Sequence, residues 1–247
     1  MNPDIKVILF DLGKTLMYSL HPWPEVFDLA YTELRRVIIA TEKITFNIDD
    51  FQKYFNNYYD QRNMDLNELG AHSVLREFIR VKGNQNISDT ILRKALDAMY
   101  AITQTNWHLE DNTIPVLDEL KNNRGYRLGL ISNAADDRDV QQLIDQMAIR
   151  PYFDFILTSA ACGHRKPHPL MFQLALNHFS VQPEQTAMVG DTLSADISGA
   201  ENMGIYSIWV TKRVQLPSDG ELPNQPQAII SNLIHILPLL EDLRKSL

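Results

Sequence analysis

The stretch IKVILFDLGKTL, residues 5–16, decides the fold of this chain. Its first half, residues 5–10, is short, mostly apolar and rich in β-branched residues, which is typical of a strand buried on both faces of a parallel sheet. Gly13 and Thr15 interrupt this pattern directly afterwards. The sequence therefore predicts that Asp11 stands at the carboxyl end of a buried strand.

Similar apolar runs follow later in the chain. The candidate strands are residues 127–131, 153–158, 186–189 and 206–210. Amphipathic stretches lie between them, such as residues 114–121 and residues 169–179, where Phe172 and Phe179 share one helical stripe. A proline-rich loop, residues 216–227, is expected before a last short strand and a C-terminal helix. The alternation of strand and helix predicts an α/β fold with a doubly wound parallel sheet.

The interval from about Tyr18 to His108 is too long for one crossover and contains no convincing strand. Its apolar residues repeat at helical spacing, and Ser88 is a candidate N-cap. The four groups are Val26, Phe27, Ala30, Leu34 and Val37; Phe51, Phe55 and Tyr58; Val74, Leu75, Phe78 and Ile79; and Ile91, Leu92, Ala95 and Met99. We expect an inserted all-helical domain at residues 19–108, with residues 1–18 and 109–247 forming the α/β core.

The composition is that of an ordinary soluble globular protein, with 45% hydrophobic and 22% charged residues among 247. The net charge of −8 repels polyanions, so we expect no nucleic acid partner. A single cysteine, Cys162, excludes an intramolecular disulfide. Because no apolar run reaches the roughly 18 to 20 residues that span a bilayer and no signal peptide is recognisable, we expect a cytoplasmic protein without a membrane partner.

Polar residues with complementary chemistry follow several of the candidate strands. In an open parallel sheet, ligands bind outside the carboxyl ends of the strands. Asp11, Ser132 and Asp191 all follow such ends, and Lys166 lies on a nearby loop. Two carboxylates, a hydroxyl and an ammonium group in one cleft suit phosphoryl transfer.

Four short motifs resemble those of the haloacid dehalogenase-like hydrolases. Residues 10–16 are similar to the first motif of that family, hhhDxDGT, where h is apolar. The other three motifs are residues 130–133, 163–169 and 190–196, in the family's order and spacing. The helical insertion is similar to the cap of the phosphoglycolate phosphatase, phosphonatase and dehalogenase branch. The resemblance implies a phosphatase that acts on a small phosphorylated metabolite.

The resemblance also implies a role for each residue. Asp11 would attack phosphorus and form an aspartyl-phosphate, with Lys166 and Ser132 stabilising the phosphoryl oxygens. Backbone N–H groups near Leu12, Gly13 and Asn133 would complete the substrate-binding cradle. Mg²⁺ would be held by Asp11, by the backbone carbonyl of Gly13 and by Asp191, with Asp196 as a partner of the metal site or of Lys166.

One position departs from the family pattern. The family's second Asp, two positions after the nucleophile, is Gly13 here, and the next residue is Lys14. That carboxylate normally protonates the leaving group and activates water, work that contributes about 10² to 10⁴ in rate. Two alternatives therefore stay open beside the phosphatase: a metal-independent 2-haloacid dehalogenase, which the Gly190-Asp191 pair opposes, and a non-catalytic phosphate-binding protein.

The helical insertion offers few clear candidates for substrate contact. Its basic residues Arg62, His72, Arg76 and Arg80 are expected to lie mainly on solvated faces. The aromatic residues Trp23 and Tyr18 are expected to pack near the hinge rather than to bind substrate.

Overall fold

A computed structural model of the chain describes residues 3–42, 46–83, 86–214 and 225–245. Within this described part, six parallel strands form the main sheet and two antiparallel strands form a small ribbon. The strands are β1 (Val7–Phe10), β2 (Met17–Ser19), β3 (Trp107–Leu109), β4 (Arg127–Ser132), β5 (Phe155–Thr158), β6 (Thr186–Gly190), β7 (Tyr206–Val210) and β8 (Ala228–Ile230). The predicted parallel sheet is confirmed.

Strand β1 occupies the middle of the main sheet, whose order is β5-β4-β1-β6-β7-β8. Its register aligns Phe10 with Leu130 of β4 and with Val189 of β6. The residues that follow these three strands therefore meet at one edge. Both faces of β1 are covered, so all four of its residues are fully buried, which explains its continuous apolar run.

Helices pack on both faces of this sheet, as the alternating pattern predicts. Ile8 and Phe10 belong to the hydrophobic core on one face, and Val7 and Leu9 to the core on the other. The helices are α1 (Trp23–Glu42), α2 (Ile48–Asp65), α3 (Ala71–Val81), α4 (Asp89–Gln104), α5 (Thr113–Asp118), α6 (Asp137–Gln146), α7 (Ser159–Cys162), α8 (Pro169–Phe179), α9 (Ser198–Asn202) and α10 (Ile236–Lys245).

The four predicted helices of the insertion are α1 to α4, and they share a separate hydrophobic core. Phe51, Phe55 and Phe78 lie at its centre, with ring centroids 4.4 Å and 5.1 Å apart for the pairs that include Phe51. Ser88 caps α4 as expected, because its hydroxyl accepts a hydrogen bond from the backbone N–H of Ile91 at 3.3 Å. The limits of this unit as a domain stay a prediction.

Two details differ from the sequence-based expectations, and a third expectation cannot be compared. The ribbon of β2 and β3, which pairs Tyr18 with His108 at the base of the insertion, was not expected. Residues 114–121 do not form one regular helix, because α5 is followed by a π-helical turn, Glu119–Asn123. Most of the loop expected at residues 216–227 lies outside the described residues. In the described part of the chain, no helix has the length and apolar character to cross a membrane.

Candidate active site

Three carboxylates gather at the carboxyl edge of the main sheet. Asp11 follows β1, Asp191 follows β6, and Asp196 lies in the π-helical turn Leu193–Ile197 just beyond. Each offers a carboxylate oxygen, and these three oxygens all lie within 4.8 Å of one another. All three residues are buried. The parallel register thus brings together the carboxylates that the first and fourth motifs contribute.

Lys166 places its ammonium group among these carboxylates. Its Nζ atom lies 2.7 Å from Oδ1 of Asp11 and 2.7 Å from Oδ1 of Asp196. It also donates a hydrogen bond of 2.7 Å to the backbone carbonyl of Ile131 at the end of β4. The side chain of Lys166 is only 1% exposed, so it acts on these groups without competition from bulk water.

Asn133 holds the loop that carries Lys166. Its side-chain amide donates to the backbone carbonyl of Lys166 at 3.0 Å, and its Oδ1 accepts from the backbone N–H of Lys166 at 2.8 Å. This paired contact connects the end of β4 to the third motif. Asn133 and the buried Ser132 also line the cavity above the carboxylates. The side-chain amide of Asn133 therefore positions Lys166, which the sequence analysis did not foresee.

Gly190 is required by the position of Asp196. A side-chain carbon on Gly190 would lie 2.3 Å from Cγ of Asp196, closer than such atoms approach. The Asp196 carboxylate is held there because its Oδ2 accepts a hydrogen bond from the backbone N–H of Thr192 at 3.0 Å. The Gly-Asp pair of the fourth motif thus has a steric reason as well as a chemical one.

Burial and mutual repulsion shift the titration of these groups. Burial raises the pKa of Asp11 to about 7, although the Lys166 ammonium lowers it and the neighbouring carboxylates add to the rise. Burial and the Asp196 charge raise the pKa of Asp191 to about 6. Burial favours neutral Lys166, yet the Asp11 and Asp196 carboxylates outweigh it and raise the pKa of Lys166 above its ordinary value.

The donor set fits a divalent cation that prefers oxygen ligands. The three carboxylates and Lys166 together carry two negative charges in excess when all are ionised. Carboxylate and carbonyl oxygens are the ligands of Mg²⁺ and Ca²⁺ rather than of softer metals. Both oxygens of Asp196 are engaged, Oδ1 by Lys166 and Oδ2 by the Thr192 N–H, whereas Asp11 contacts Lys166 only through Oδ1. Asp11 and Asp191 are therefore the better placed ligands.

A cavity of about 960 Å³ lies between this edge of the sheet and the helical insertion. The insertion is attached to the third motif beside it. The backbone N–H of Glu68 donates to the carbonyl of Gly163, and the N–H of Arg165 donates to the carbonyl of Leu66, both at 2.9 Å. The fully buried Glu68 carboxylate pairs with Arg62 at 2.6 Å and with Arg165. These contacts place the insertion over the carboxylates.

Comparison with known proteins adds to this geometry. A sequence model described as haloacid dehalogenase-like hydrolase matches residues 5–204. The chain is 35% identical to haloacid dehalogenase-like hydrolase domain-containing protein 3 of Mus musculus, over 98% of this chain and 96% of that protein. The chain belongs to the haloacid dehalogenase-like hydrolases. It is also 27% identical to a glyceraldehyde 3-phosphate phosphatase of Pyrococcus furiosus, over 96% of this chain and 93% of that protein.

A solved structure agrees with this assignment of the fold. The 2-haloacid dehalogenase from Pseudomonas syringae pv. Tomato DC3000 superimposes with a TM-score of 0.74 and 22% sequence identity. The match covers 96% of this chain and 99% of the dehalogenase. This haloacid dehalogenase-like hydrolase therefore shares its fold with that protein over the 96% of the chain that the match covers.

At Gly13, where the sequence departs from the family pattern, the side chain of Trp107 lies close to the backbone. A side-chain carbon built on Gly13 would lie 3.2 Å from Cη2 and 3.7 Å from Cζ3 of Trp107. The indole of Trp107, from β3, thus lies next to the position at which the family pattern has its second Asp. Lys14, with a φ of 58°, lines the same cavity, and its charge lowers the pKa of Asp191.

The other predicted residues of this hydrolase divide into two groups. Leu12 and Arg62 line the cavity, with the Arg62 guanidinium 3.9 Å from the ring centre of Tyr59. Arg76 and Arg80 instead form ion pairs on exposed faces with Asp89 and Glu77. His72 also pairs with Asp89, at 3.0 Å.

Trp23, which the sequence predicts to pack near the hinge, lies against Phe27 and Trp107 and also lines the cavity. Trp23, Phe27 and Tyr31 follow one another on α1 at intervals of four residues and all line the cavity. That spacing is visible in the sequence and identifies one face of a helix, but not what the face borders. Trp107 carried no such signal, because β3 is only three residues long.

Proposed function

We propose that this hydrolase is a Mg²⁺-dependent phosphatase that acts on a small phosphorylated metabolite through an aspartyl-phosphate on Asp11. The observation that carries the proposal is that the buried Lys166 ammonium contacts the carboxylates of Asp11 and Asp196. Together with Asp191, these carboxylates form a cluster that fits a divalent cation. The name of the Pyrococcus furiosus relative, a glyceraldehyde 3-phosphate phosphatase, supports the same chemistry.

Asp11 acts as the nucleophile in this proposal. Its carboxylate attacks phosphorus in line with the departing oxygen, and the P–O bond to the leaving group breaks. Lys166, 2.7 Å from this carboxylate, favours its ionised form and lowers the pKa of Asp11 against the larger effect of burial. The same ammonium stabilises charge on the phosphoryl oxygens as they approach. A second displacement by water then releases inorganic phosphate.

Ser132 and backbone N–H groups bind the remaining phosphoryl oxygens. The Ser132 hydroxyl stands at the end of β4, next to the strand that carries Asp11. Backbone N–H groups near Leu12, Gly13 and Asn133 are the further donors of this cradle. Such preorganised donors favour the transition state because they need no reorganisation as charge develops.

Asp11, Asp191 and the backbone carbonyl of Gly13 would hold Mg²⁺. When bound, Mg²⁺ supplies positive charge that lets an anionic carboxylate and an anionic phosphate approach each other. Asp196 contributes indirectly in this proposal, because its carboxylate orients the Lys166 ammonium.

The helical insertion at residues 19–108 acts as a cap in this proposal. It closes the cavity from the side opposite the sheet and excludes water from the phosphoryl group. The Glu68 contacts to Arg62 and Arg165 hold it in that position.

The direct test measures phosphate release from a panel of small phosphate esters, including para-nitrophenyl phosphate, with and without Mg²⁺. We expect Mg²⁺-dependent release that Asp11→Asn and Asp191→Asn each abolish. Asp97→Asn is the matched control, because this carboxylate forms ion pairs with Arg93 and Arg138 away from the cavity lining. Its activity should equal that of the wild type.

Two results would contradict the proposal. The first is the absence of phosphate release across the panel while calorimetry shows that Mg²⁺ binds. The second is the release of halide from a 2-haloacid without metal, which would favour the dehalogenase alternative.

A further inference from the structure

A continuous row of aromatic rings runs from Gly13 into the cavity. The aromatic row consists of Trp107, Trp23, Phe27 and Tyr31, all of which line the cavity. Ring centroids are 5.0 Å apart for Trp107 and Trp23, 5.2 Å for Trp23 and Phe27, and 5.4 Å for Phe27 and Tyr31. The last two pairs are stacked, with interplanar angles of 28° and 10°.

The row is accessible to a ligand over most of its length. Trp23, Phe27 and Trp107 are only half-buried, whereas the residues in the centre of the insertion core are fully buried. Aromatic rings that border a cavity bind other aromatic rings well, because an offset-stacked or edge-to-face pair adds about 0.5–1.5 kcal/mol to the burial of apolar area. The cavity therefore offers a planar apolar group a wall made of rings.

The row begins beside the nucleophile. Trp107 lies over Gly13, two residues after Asp11, with its Cη2 atom 3.2 Å from where a side-chain carbon would stand. Gly13 has no side chain that could act as an acid, and the Trp107 indole is an apolar neighbour for a leaving group that lies beside Gly13. Lys14, the next residue, also lines the cavity.

A leaving group in this position has to depart without a proton from residue 13. General acid catalysis contributes about 10² to 10⁴ in rate, so an alkoxide would leave slowly. A phenolate is a much weaker base, since the pKa of a phenol such as tyrosine is about 10. The missing carboxylate and the aromatic row thus favour the same kind of leaving group.

We infer that the substrate is an aryl phosphate, in which the phosphoryl group is esterified to the hydroxyl of an aromatic ring. This inference rests on the proposed phosphatase function of Asp11. The ring packs against Trp107 and Trp23 while the Asp11 carboxylate forms a bond to phosphorus. The bond from phosphorus to the phenol oxygen breaks, and its electron pair leaves on that oxygen as a phenolate. Water then attacks the aspartyl-phosphate, and Asp11 is regenerated as dihydrogen phosphate departs.

The first experiment separates the leaving group from the ring. It compares kcat/KM for three esters. Phenyl phosphate has an aromatic ring and a phenolate leaving group, benzyl phosphate has an aromatic ring and an alkoxide leaving group, and cyclohexylmethyl phosphate has a non-aromatic ring and an alkoxide leaving group. We expect phenyl phosphate to exceed benzyl phosphate by roughly 10² to 10⁴. Benzyl phosphate should have a lower KM than cyclohexylmethyl phosphate, because only its ring is flat.

The second experiment measures ring recognition without turnover. Inhibition constants of phenylphosphonate and cyclohexylphosphonate are determined against para-nitrophenyl phosphate in the presence of Mg²⁺. We expect the wild type to prefer phenylphosphonate about fivefold to tenfold, and Trp107→Leu to bring that ratio close to one. Trp23→Leu repeats the test at a second position in case Trp107→Leu does not fold.

Tyr18→Leu is the matched control for these variants. Tyr18 lies on the same ribbon, pairs with His108 opposite and does not line the cavity. Its ratio of inhibition constants should be that of the wild type.

The outcomes distinguish this inference from the proposed function. Two results would overturn this inference but leave the proposed phosphatase function intact. The first is a kcat/KM for benzyl phosphate within tenfold of that for phenyl phosphate. The second is a ratio of inhibition constants that neither tryptophan variant changes. The inference and the proposed function are both overturned if no ester, para-nitrophenyl phosphate included, releases phosphate in a way that depends on Asp11.

Discussion

Replacing Lys166 with methionine is expected to destabilise the protein in a way that depends on pH. Methionine keeps most of the length of the side chain but removes its charge. Lys166 forms two ion pairs of 2.7 Å, each of which corresponds to about 6 kcal/mol of Coulomb attraction at an effective dielectric constant of about 20. Most of this attraction offsets the removal of the charges from water, so the net loss should be about 3–5 kcal/mol.

The pH dependence follows from the carboxylates that the variant leaves without a cation. Burial already raises the pKa of Asp11 to about 7, and loss of the ammonium raises it further. A carboxyl group whose pKa is raised in the folded state binds protons more tightly there than in the unfolded chain, so stability falls as pH increases. The deficit of Lys166→Met should therefore be larger at about pH 8 than at about pH 5.

Denaturant unfolding at both pH values measures this deficit. Lys121→Met is the control, because Lys121 forms a partly exposed pair with Asp154 at 2.5 Å and should lose less than about 1 kcal/mol at either pH. A deficit in Lys166→Met that is no larger than in this control, or one that shrinks as pH rises, would refute the reasoning.

Three further predictions concern the surroundings of the site. Glu68→Gln should lower the free energy of unfolding by about 3 kcal/mol, because two guanidinium groups lose their buried carboxylate. Glu77→Gln, at an exposed ion pair, should have a much smaller effect, and equal losses would argue against a structural role for the Glu68 cluster. Asp139→Asn should gain stability relative to the wild type as pH rises. Burial raises the pKa of Asp139 from 3.8 to about 7, so the free energy of unfolding of the wild type falls by up to about 4 kcal/mol across that pH range. Parallel pH profiles of the two proteins in denaturant unfolding would contradict this. Gly190→Ala should reduce kcat by about 100-fold, because its methyl group displaces the Asp196 carboxylate. Gly70→Ala, whose new carbon meets only a carbonyl oxygen at 3.9 Å, should leave kcat unchanged. Similar kcat values for the two variants would refute the steric argument.

The main sheet and the approach of its site residues could be predicted from the sequence for a physical reason. A strand covered on both faces needs apolar residues throughout, and residues 7–10 meet that requirement without a break. Parallel strands end at a common edge, so polar residues that follow them are brought together whatever the loops do. Asp11 and Asp191 are separated by 180 positions in the chain, yet the register of β1 with β6 makes them neighbours.

The contacts between the insertion and the core could not be predicted in this way. Trp107 reaches Gly13 from a strand of three residues, too short to show a period. Glu68 and Arg165 lie 97 positions apart, and neither belongs to a repeating pattern that would single it out. These contacts depend on how two separately packed cores meet, which local patterns do not encode.

The central claim, that Asp11 is the nucleophile, is tested most directly by trapping its phosphorylated form. Gly13 supplies no base to activate water, so hydrolysis of the aspartyl-phosphate should be slower than its formation. Rapid mixing with para-nitrophenyl phosphate and Mg²⁺ should therefore give a burst of nitrophenol, and mass spectrometry after acid quenching should find a phosphoryl group on the peptide that contains Asp11. Turnover without any phosphoryl group on Asp11 would contradict the account.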